Sequence, residues 1–328
     1  MSILTDHIGR THDYLRISLT ERCNLRCFYC IPEDGVEIRE KSEFMTSEEV
    51  FEMASTFVDL GVKRIRLTGG EPLIKKDFAH ILHDLSTLPV ELGITTNGIL
   101  VDRYIDTFKA CGIKTLNVSL DSLQEIKFNA ISKRKYFSKI MSNIELLLKE
   151  GFKVKLNIVL IKGTNDDEII DFIKLTEREN LSVRFIEFMP FIGNNWDLER
   201  TVRYEDIMDV AGDYFGENQI VRLEGKPNQT SSDYRVNGFK SSFGIIGTVT
   251  NPFCDSCNRI RLTADGKIRN CLFSSDETDL LTAHRKGENL LPLIQNALYT
   301  KDKMRGGIRS FDESELYLKN RSMTTIGG

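Results

Sequence analysis

The sequence predicts an α/β fold, a partial (βα)6 barrel of the TIM type with a C-terminal extension, and three observations carry that reading. Six strand-like segments alternate with helix-like ones through the first two-thirds of the chain. Several of those strands repeat a polar face. After about residue 190 the alternation stops, and a region of different character follows.

The strand-like segments are residues 14–20, 64–68, 92–96, 115–121, 153–161 and 183–189. Helix patterns lie between them at residues 46–60, 77–85, 102–111, 137–150 and 166–179. The first is the clearest. Thr46 and Glu49 have the spacing of a capping box, and Val50, Phe51, Ala54, Phe57 and Val58 form one apolar stripe. Strands separated by helices pair in parallel through right-handed crossovers, which an open doubly wound sheet and a barrel both satisfy. The polar faces favour the barrel. Lys155 and Asn157 alternate with Val154, Leu156 and Ile158, and Arg16 with Ser18, Arg66 with Thr68, and Asn117 with Ser119 and Asp121 repeat the pattern. A sheet covered by helices on both faces would be apolar there, so the polar face predicts a wet interior holding a polar ligand. The loops Thr68-Gly-Gly-Glu-Pro72 and Thr95-Thr-Asn-Gly98 follow strands, where α/β folds place ligands. Beyond the barrel, residues 224–236 read as a polar loop and residues 244–250 as a short strand. The predicted division is a core at residues 5–220 and a C-terminal region at 221–328.

Composition narrows the class of function. Apolar residues at 41% and charged residues at 28% are ordinary globular values and exclude a disordered or fibrous chain. Lys+Arg 44 against Asp+Glu 48 gives a net charge of −4, which argues against a nucleic-acid or anionic-membrane binder and permits a local basic pocket. The longest uncharged stretch, residues 241–254, is 14 residues and falls short of the ~18 a membrane helix needs. The N-terminus has no basic start or apolar core for export, so a soluble, cytoplasmic protein is expected.

Seven cysteines carry the chemistry. Cys23-Asn-Leu-Arg-Cys-Phe-Tyr-Cys30 has C-x3-C-x2-C spacing in the loop after the first strand, and Cys254, Cys257 and Cys271 form C-x2-C-x13-C. An odd number without an export signal is poor material for a disulfide framework and points to metal or redox sites. Structural zinc wants four ligands. A [4Fe–4S] cube held by three thiolates keeps one iron open to a small molecule. Zinc remains the alternative at this point. Cys111, alone at a helix end, reads as a small packed hydrophobe. The five histidines show no metal-type spacing.

The first cysteine motif, with an aromatic before its last Cys and Gly69-Gly-Glu-Pro72 after the second strand, resembles the radical S-adenosylmethionine (SAM) superfamily. Tyr14-Leu-Arg-Ile-Ser-Leu-Thr, Arg184-Phe-Ile-Glu-Phe-Met-Pro190, the segment Cys257-Asn-Arg-Ile-Arg261 and the terminal Gly327-Gly328 narrow this to a resemblance to the GTP 3′,8-cyclase family, running from about residue 11 to residue 328. Two positions depart from the family pattern, Gly9 and Ile31, and neither is a ligand position.

The resemblance implies two [4Fe–4S] clusters, one on Cys23, Cys27 and Cys30 that chelates SAM and an auxiliary one on Cys254, Cys257 and Cys271 that meets the guanine base. It implies cleavage of SAM to a 5′-deoxyadenosyl radical, removal of H3′ from GTP, and closure to a 3′,8-cyclised 7,8-dihydro-GTP, the first step of molybdenum cofactor biosynthesis. Tyr29, Gly70, Ser119 and Met189 would contact SAM. Arg66, Thr95, Lys155, Arg184, Arg259, Ile260 and Arg261 would contact GTP, and Arg16, Gly327 and Gly328 would have catalytic roles. The implied partners are a flavodoxin- or ferredoxin-like reductant and a cyclic pyranopterin monophosphate synthase downstream, and a homodimer is allowed. The residue types agree, because a triphosphate brings about four negative charges and Arg suits bidentate phosphate contacts. The competing readings are another radical SAM enzyme with an auxiliary cluster, such as a peptide modifier, and a non-catalytic zinc-binding protein. A terminal Gly-Gly would otherwise be a frayed end.

Overall fold

The computed structural model describes residues 3–35, 39–225, 228–311 and 320–327. The six expected strands are β1 (Tyr14–Ser18), β2 (Arg64–Thr68), β3 (Glu91–Thr96), β4 (Thr115–Ser119), β5 (Lys153–Leu160) and β6 (Leu181–Glu187). They pair in parallel and in chain order, each beside its predecessor. A doubly wound sheet reverses its order at a switch point. This one does not, so its right-handed crossovers all lie on one face and the other face forms a barrel interior.

The helices of this half are α1 (Ser47–Asp59), α2 (Phe78–Leu85), α3 (Ile105–Ala110), α4 (Glu125–Ser132), α5 (Phe137–Lys149), α6 (Ile169–Lys174) and α7 (Tyr204–Phe215). In α1 the capping box is present: Glu49 N–H donates to Thr46 Oγ1 at 3.2 Å and Thr46 N–H to Glu49 Oε2 at 2.8 Å. Its buried face is Val50, Met53, Ala54 and Phe57, while Phe51 and Val58 sit half-buried at the margin. The helix expected at residues 166–179 is shorter, with a 3-10 turn on either side of α6.

Strand alternation separates core from interior. On β5, Val154, Leu156, Ile158 and Leu160 are buried beneath the helices, and Lys155 and Asn157 point the other way. Burying one Leu, Ile or Val stabilises the fold by about 1.5–3 kcal/mol, so a one-residue slip, which exchanges the two faces, is strongly disfavoured.

The C-terminal part extends both edges of this sheet. Strands β7 (Ile220–Arg222), β8 (Ser232–Val236) and β9 (Phe243–Ile246) add to β6. Strands β10 (Arg259–Leu262), β11 (Lys267–Arg269) and β12 (Thr278–Asp279) add to β1. The loop expected at residues 224–236 therefore contains a strand: Tyr234 and Val236 of β8 are buried alternately between antiparallel neighbours. Helices α8 (Leu280–Arg285), α9 (Leu291–Tyr299) and α10 (Met323–Ile326) complete the region. A second apolar cluster of Phe191, Val249, Phe273, Ile308 and Phe311, with Trp196 at its margin, seats Ile326 of α10. No described helix is long and apolar enough to cross a membrane.

Candidate active site

The barrel interior opens into a cavity of about 680 Å³ whose wall contains all six grouped cysteines. The pairing of β10 with β1 makes this arrangement, because it sets Arg259 beside Tyr14 and Arg261 beside Arg16. The inner strand faces add Arg66, Thr95, Ser119, Lys155 and Arg184, and the loops add Tyr29, Gly70 and Met189. Ile260 and Gly327 are the described exceptions among the expected site residues: Gly327 lies behind the wall, on Arg261, and Ile260 lies in the core. The Ile260 side chain is fully buried there, since it alternates with Arg259 and Arg261 along β10. Gly328 lies outside the described residues.

At one end, the loop after β1 carries Cys23, Cys27 and Cys30. Asn97 Nδ2 lies 3.8 Å from Cys23 Sγ and donates to Asn24 Oδ1 at 2.7 Å. Gly70 packs directly on this loop. A Cβ there would meet Arg22 O at 2.3 Å and Glu21 O at 2.7 Å, so any side chain would push the cysteine loop away. Buried Glu71 accepts from Leu73 N–H (3.0 Å), Thr96 Oγ1 (2.8 Å) and Asn97 N–H (2.7 Å), tying the loops after β2 and β3 together. Burial raises its carboxyl to about 7 against those three donors. Asp121, raised by burial to about 6, accepts from Tyr29 Oη at 2.7 Å and from Val159 N–H at 3.0 Å. Burial, with Glu71 nearby, pushes the Cys23 thiol up to about 11, and burial pushes Cys27 and Cys30 well above their ordinary values.

The other end is cationic. Burial would raise the Cys257 thiol, but the charges of Arg259 and Lys301 outweigh it and bring it to about 6. Arg259 Nη2 and Lys301 Nζ each lie 3.5 Å from Cys257 Sγ. Arg259 also stacks 4.4 Å from the Phe253 ring centroid. Arg261 donates to the carbonyl of Gly327. Gly327 is buried, with a φ of +74°, and a Cβ on it would approach Thr68 Oγ1 to 2.8 Å. The tail thus lies against the inner ends of β1 and β2.

The polar wall is incomplete without a ligand. Among the described residues Arg16, Arg66, Arg259 and Arg261 have no carboxylate partner, and Arg184 has only Asp233 nearby, with no ion pair within 4.0 Å. Burial and the neighbouring guanidiniums lower Arg16 to about 10 and Arg261 further. Arg16 Nε, Thr95 Oγ1, Asn117 Oδ1 and Asn157 Oδ1 are buried without a hydrogen-bond partner in the protein. Each orphaned atom costs about 1–3 kcal/mol, so the two amide oxygens call for a hydrogen-bond donor in the cavity and the guanidiniums for an anionic group.

Sequence reasoning read Asn117 and Asn157 only as markers of a polar face, and their period-2 placement was the available signal. It missed Asn194, whose Nδ2 donates to Tyr29 O (3.2 Å) and Met189 O (2.8 Å) and joins two loops of the wall. Lys301 was missed as well. Neither sits in a motif. Cys111 is half-buried against the core and is not in the cavity wall.

An ordered parallel βα sheet with a C-x3-C-x2-C loop at the end of its first strand defines a radical SAM protein, and residues 17–176 match the family model of the Radical SAM superfamily. Residues 181–306 match the model for Molybdenum Cofactor Synthesis C. The chain belongs to the GTP 3′,8-cyclase family. It is 37% identical to the "GTP 3',8-cyclase" of Listeria welshimeri, with 100% of both chains covered. It is 41% identical to the "GTP 3',8-cyclase, mitochondrial" of Arabidopsis thaliana, covering 99% of this chain and 84% of that one. It is 43% identical to the "Molybdenum cofactor biosynthesis protein 1" of Drosophila melanogaster over 92% of this chain and 54% of that protein. The chain spans about half the length of the first such relatives, 54%, 52% and 50%. In fold it is similar to Streptococcus suis SuiB bound to S-adenosylmethionine, with a TM-score of 0.64 at 17% identity, covering 95% of this chain and 72% of that one. The family match separates the radical SAM reading from the zinc-binding alternative.

Proposed function

We propose that this chain is a radical SAM GTP 3′,8-cyclase, joining C3′ of GTP to C8 of its guanine as the first step of molybdenum cofactor biosynthesis. One observation carries the reading: a single cavity has a cysteine triad at each end and unpaired arginines on its wall. The donor chemistry suits the two clusters. All seven cysteines are free thiols, three thiols per site leave one iron of a cube open, and Cys257 is biased toward the thiolate that a metal needs. Among the described residues no three donors close around a point for a single metal ion. When bound, a cluster on Cys23, Cys27 and Cys30 with SAM on its open iron would supply the electron that splits the sulfonium and so a radical able to take H3′.

The rest is done by the protein. Gly70 holds the turn after β2 against the cysteine loop, and Asp121 holds Tyr29, so that Tyr29, Gly70, Ser119 and Met189 line the SAM end. Arg16, Arg66, Lys155, Arg184, Arg259 and Arg261 neutralise the triphosphate, and Thr95, Asn117 and Asn157 orient the sugar and base. Ile260 contributes by keeping β10 in register, with no side chain in the cavity. Cys254, Cys257 and Cys271 would hold the auxiliary cluster, whose open iron would offer a Lewis-acid position for substrate. Gly327 accepts from Arg261 and so backs the wall at that arginine.

A flavodoxin- or ferredoxin-like protein would deliver the electron, and a cyclic pyranopterin monophosphate synthase would take the product. Free thiols throughout support a reducing compartment such as the cytoplasm. Anaerobic incubation with SAM, GTP and a reductant tests the proposal. It should yield 5′-deoxyadenosine and a 3′,8-cyclised nucleotide together. 5′-Deoxyadenosine formed with no change in GTP would assign the chain another substrate.

A further inference from the structure

Behind the auxiliary triad lies a buried polar chain that the proposed reaction leaves unexplained. Lys301 is only 2% exposed. Its ammonium lies 3.0 Å from the Arg259 carbonyl, 3.4 Å from His12 Nδ1 and 3.5 Å from Cys257 Sγ. His12 is fully buried, and its Nε2 meets Asp6 Oδ2 at 3.1 Å. Asp6 in turn accepts from Arg10 Nε at 2.6 Å. Arg10 then donates to the carbonyls of Cys254, Lys303 and Asp302, each at 2.9 Å. The N-terminal segment is thereby fastened across the cysteine loop.

The charges do not balance. Lys301, Arg10 and Arg259 converge on this place, and Asp6 is the carboxylate facing them. Asp6 is already paired with Arg10 and reaches Lys301 only through an imidazole. A buried ammonium without an anion is strongly unfavourable. Beyond the neutral Arg259 carbonyl and His12 Nδ1, the groups near Lys301 that can carry negative charge are the sulfurs of Cys257 and Cys271. The counter-charge that this buried ammonium faces is therefore the Cys257 sulfur, one of the proposed cluster ligands.

We propose that Lys301 is a positioning residue of the auxiliary cluster, donating an N–H···S hydrogen bond to Cys257 and raising that cluster's reduction potential. The inference rests on the auxiliary-cluster reading above. Hydrogen bonds and positive charge at cluster sulfurs stabilise the more reduced level, and outer partners fix how a ligand is presented. Asp6 accepts from His12 Nε2–H, which leaves Nδ1 as an acceptor that aims the ammonium at Cys257.

The test is iron analysis and EPR-monitored redox titration of the anaerobically loaded full chain, comparing Lys301→Gln, Lys301→Arg and His12→Gln with the parent. The parent should hold about eight iron and show two cluster potentials. In Lys301→Gln the auxiliary potential should move to more negative values while the SAM-cluster potential stays. Lys301→Arg should restore it, and His12→Gln should show a smaller shift in the same direction. Should Lys301→Gln fail to load the auxiliary cluster, loading by Lys301→Arg supports the charge requirement. Unchanged potentials in a fully loaded Lys301→Gln overturn the inference. So does failure of both Lys301 variants to load beside an unshifted His12→Gln. A parent with only about four iron overturns the auxiliary-cluster reading and this inference with it, whereas the former outcomes overturn this inference alone.

Discussion

Around Cys23, Cys27 and Cys30 the nearest ionisable neighbours are the carboxyls of Glu71 and Asp121, whereas Cys257 lies between Arg259 and Lys301. Burial raises the thiols at the first end, and cations pull Cys257 down to about 6 at the second. Two triads of identical chemistry in one cavity therefore present different fields. A site with carboxyls and backbone carbonyls suits a ligand carrying a sulfonium cation. A site ringed by unpaired guanidiniums suits a polyphosphate. On the proposed reading, the difference in surroundings, rather than in ligand residues, is what would divide the cavity between SAM and GTP.

The strongest way to break this division is to remove one ligand from each end. Cys23→Ser, Cys27→Ser and Cys30→Ser should each abolish 5′-deoxyadenosine formation. Cys257→Ser should retain SAM binding and weaken GTP binding. Anaerobic equilibrium binding of SAM and GTP to the four variants checks both halves. Loss of SAM binding with GTP spared in Cys257→Ser would show that the two ends are assigned in reverse.

A smaller effect is expected at the cationic end alone. Arg259→Ala and Arg261→Ala each remove a charge-assisted contact worth about 1.5–3 kcal/mol, or about 10- to 150-fold in GTP affinity. Both losses should shrink with guanosine, which lacks the phosphates, and SAM affinity should not move. Equal losses for GTP and guanosine would place these side chains on the base or sugar.

What could be read from the chain before its fold reflects how local each signal is. The six parallel strands were legible because Arg16, Arg66, Asn117 and Lys155 sit at period 2 against apolar neighbours, and the cysteine triads because their spacing is short. The edges were not. Strand β8 has five residues in a polar stretch, and its burial comes from β7 and β9 on either side. The meeting of Arg261 with Arg16, and of Lys301 with His12 and Cys257, depends on β10 pairing with β1 across almost the whole chain. No local pattern encodes such a contact. Ile260 is the opposite case: the motif placed it in the site, although its alternation with Arg259 and Arg261 was a local signal for the core.

The tail offers a gentler perturbation of the cationic end. Gly327 occupies the left-handed region and touches Thr68, so Gly327→Ala meets both backbone strain and a close contact. A left-handed alanine costs ~1–2 kcal/mol, which lowers the ratio of docked to undocked tail by about five- to thirty-fold. Cyclisation should fall while SAM and GTP still bind. Trp196, the single tryptophan, packs in the cluster that seats Ile326, so its emission should shift to the red as the tail leaves. Full cyclisation with unchanged emission would return the tail to a bystander.

The smallest expected effect separates the two faces of β10. Arg259 and Arg261 face the cavity, and Ile260 between them is fully buried beside Leu15 of β1. Ile260→Val removes one buried methyl group and should cost about 0.5–1.5 kcal/mol of stability, without touching the cavity wall. Thermal unfolding of the loaded protein should show the loss, and GTP and SAM affinities should stay within experimental error of the parent. Because β10 holds both arginines in register with Tyr14 and Arg16, a larger cavity-forming change such as Ile260→Ala should weaken GTP binding only as far as it loosens the strand. Stabilising the fold by lowering the temperature should then recover affinity in Ile260→Ala and leave Arg261→Ala unrescued. A drop in GTP affinity in Ile260→Val with unchanged unfolding would mean that the strand contacts substrate at this position and that the two-faced reading of β10 is wrong.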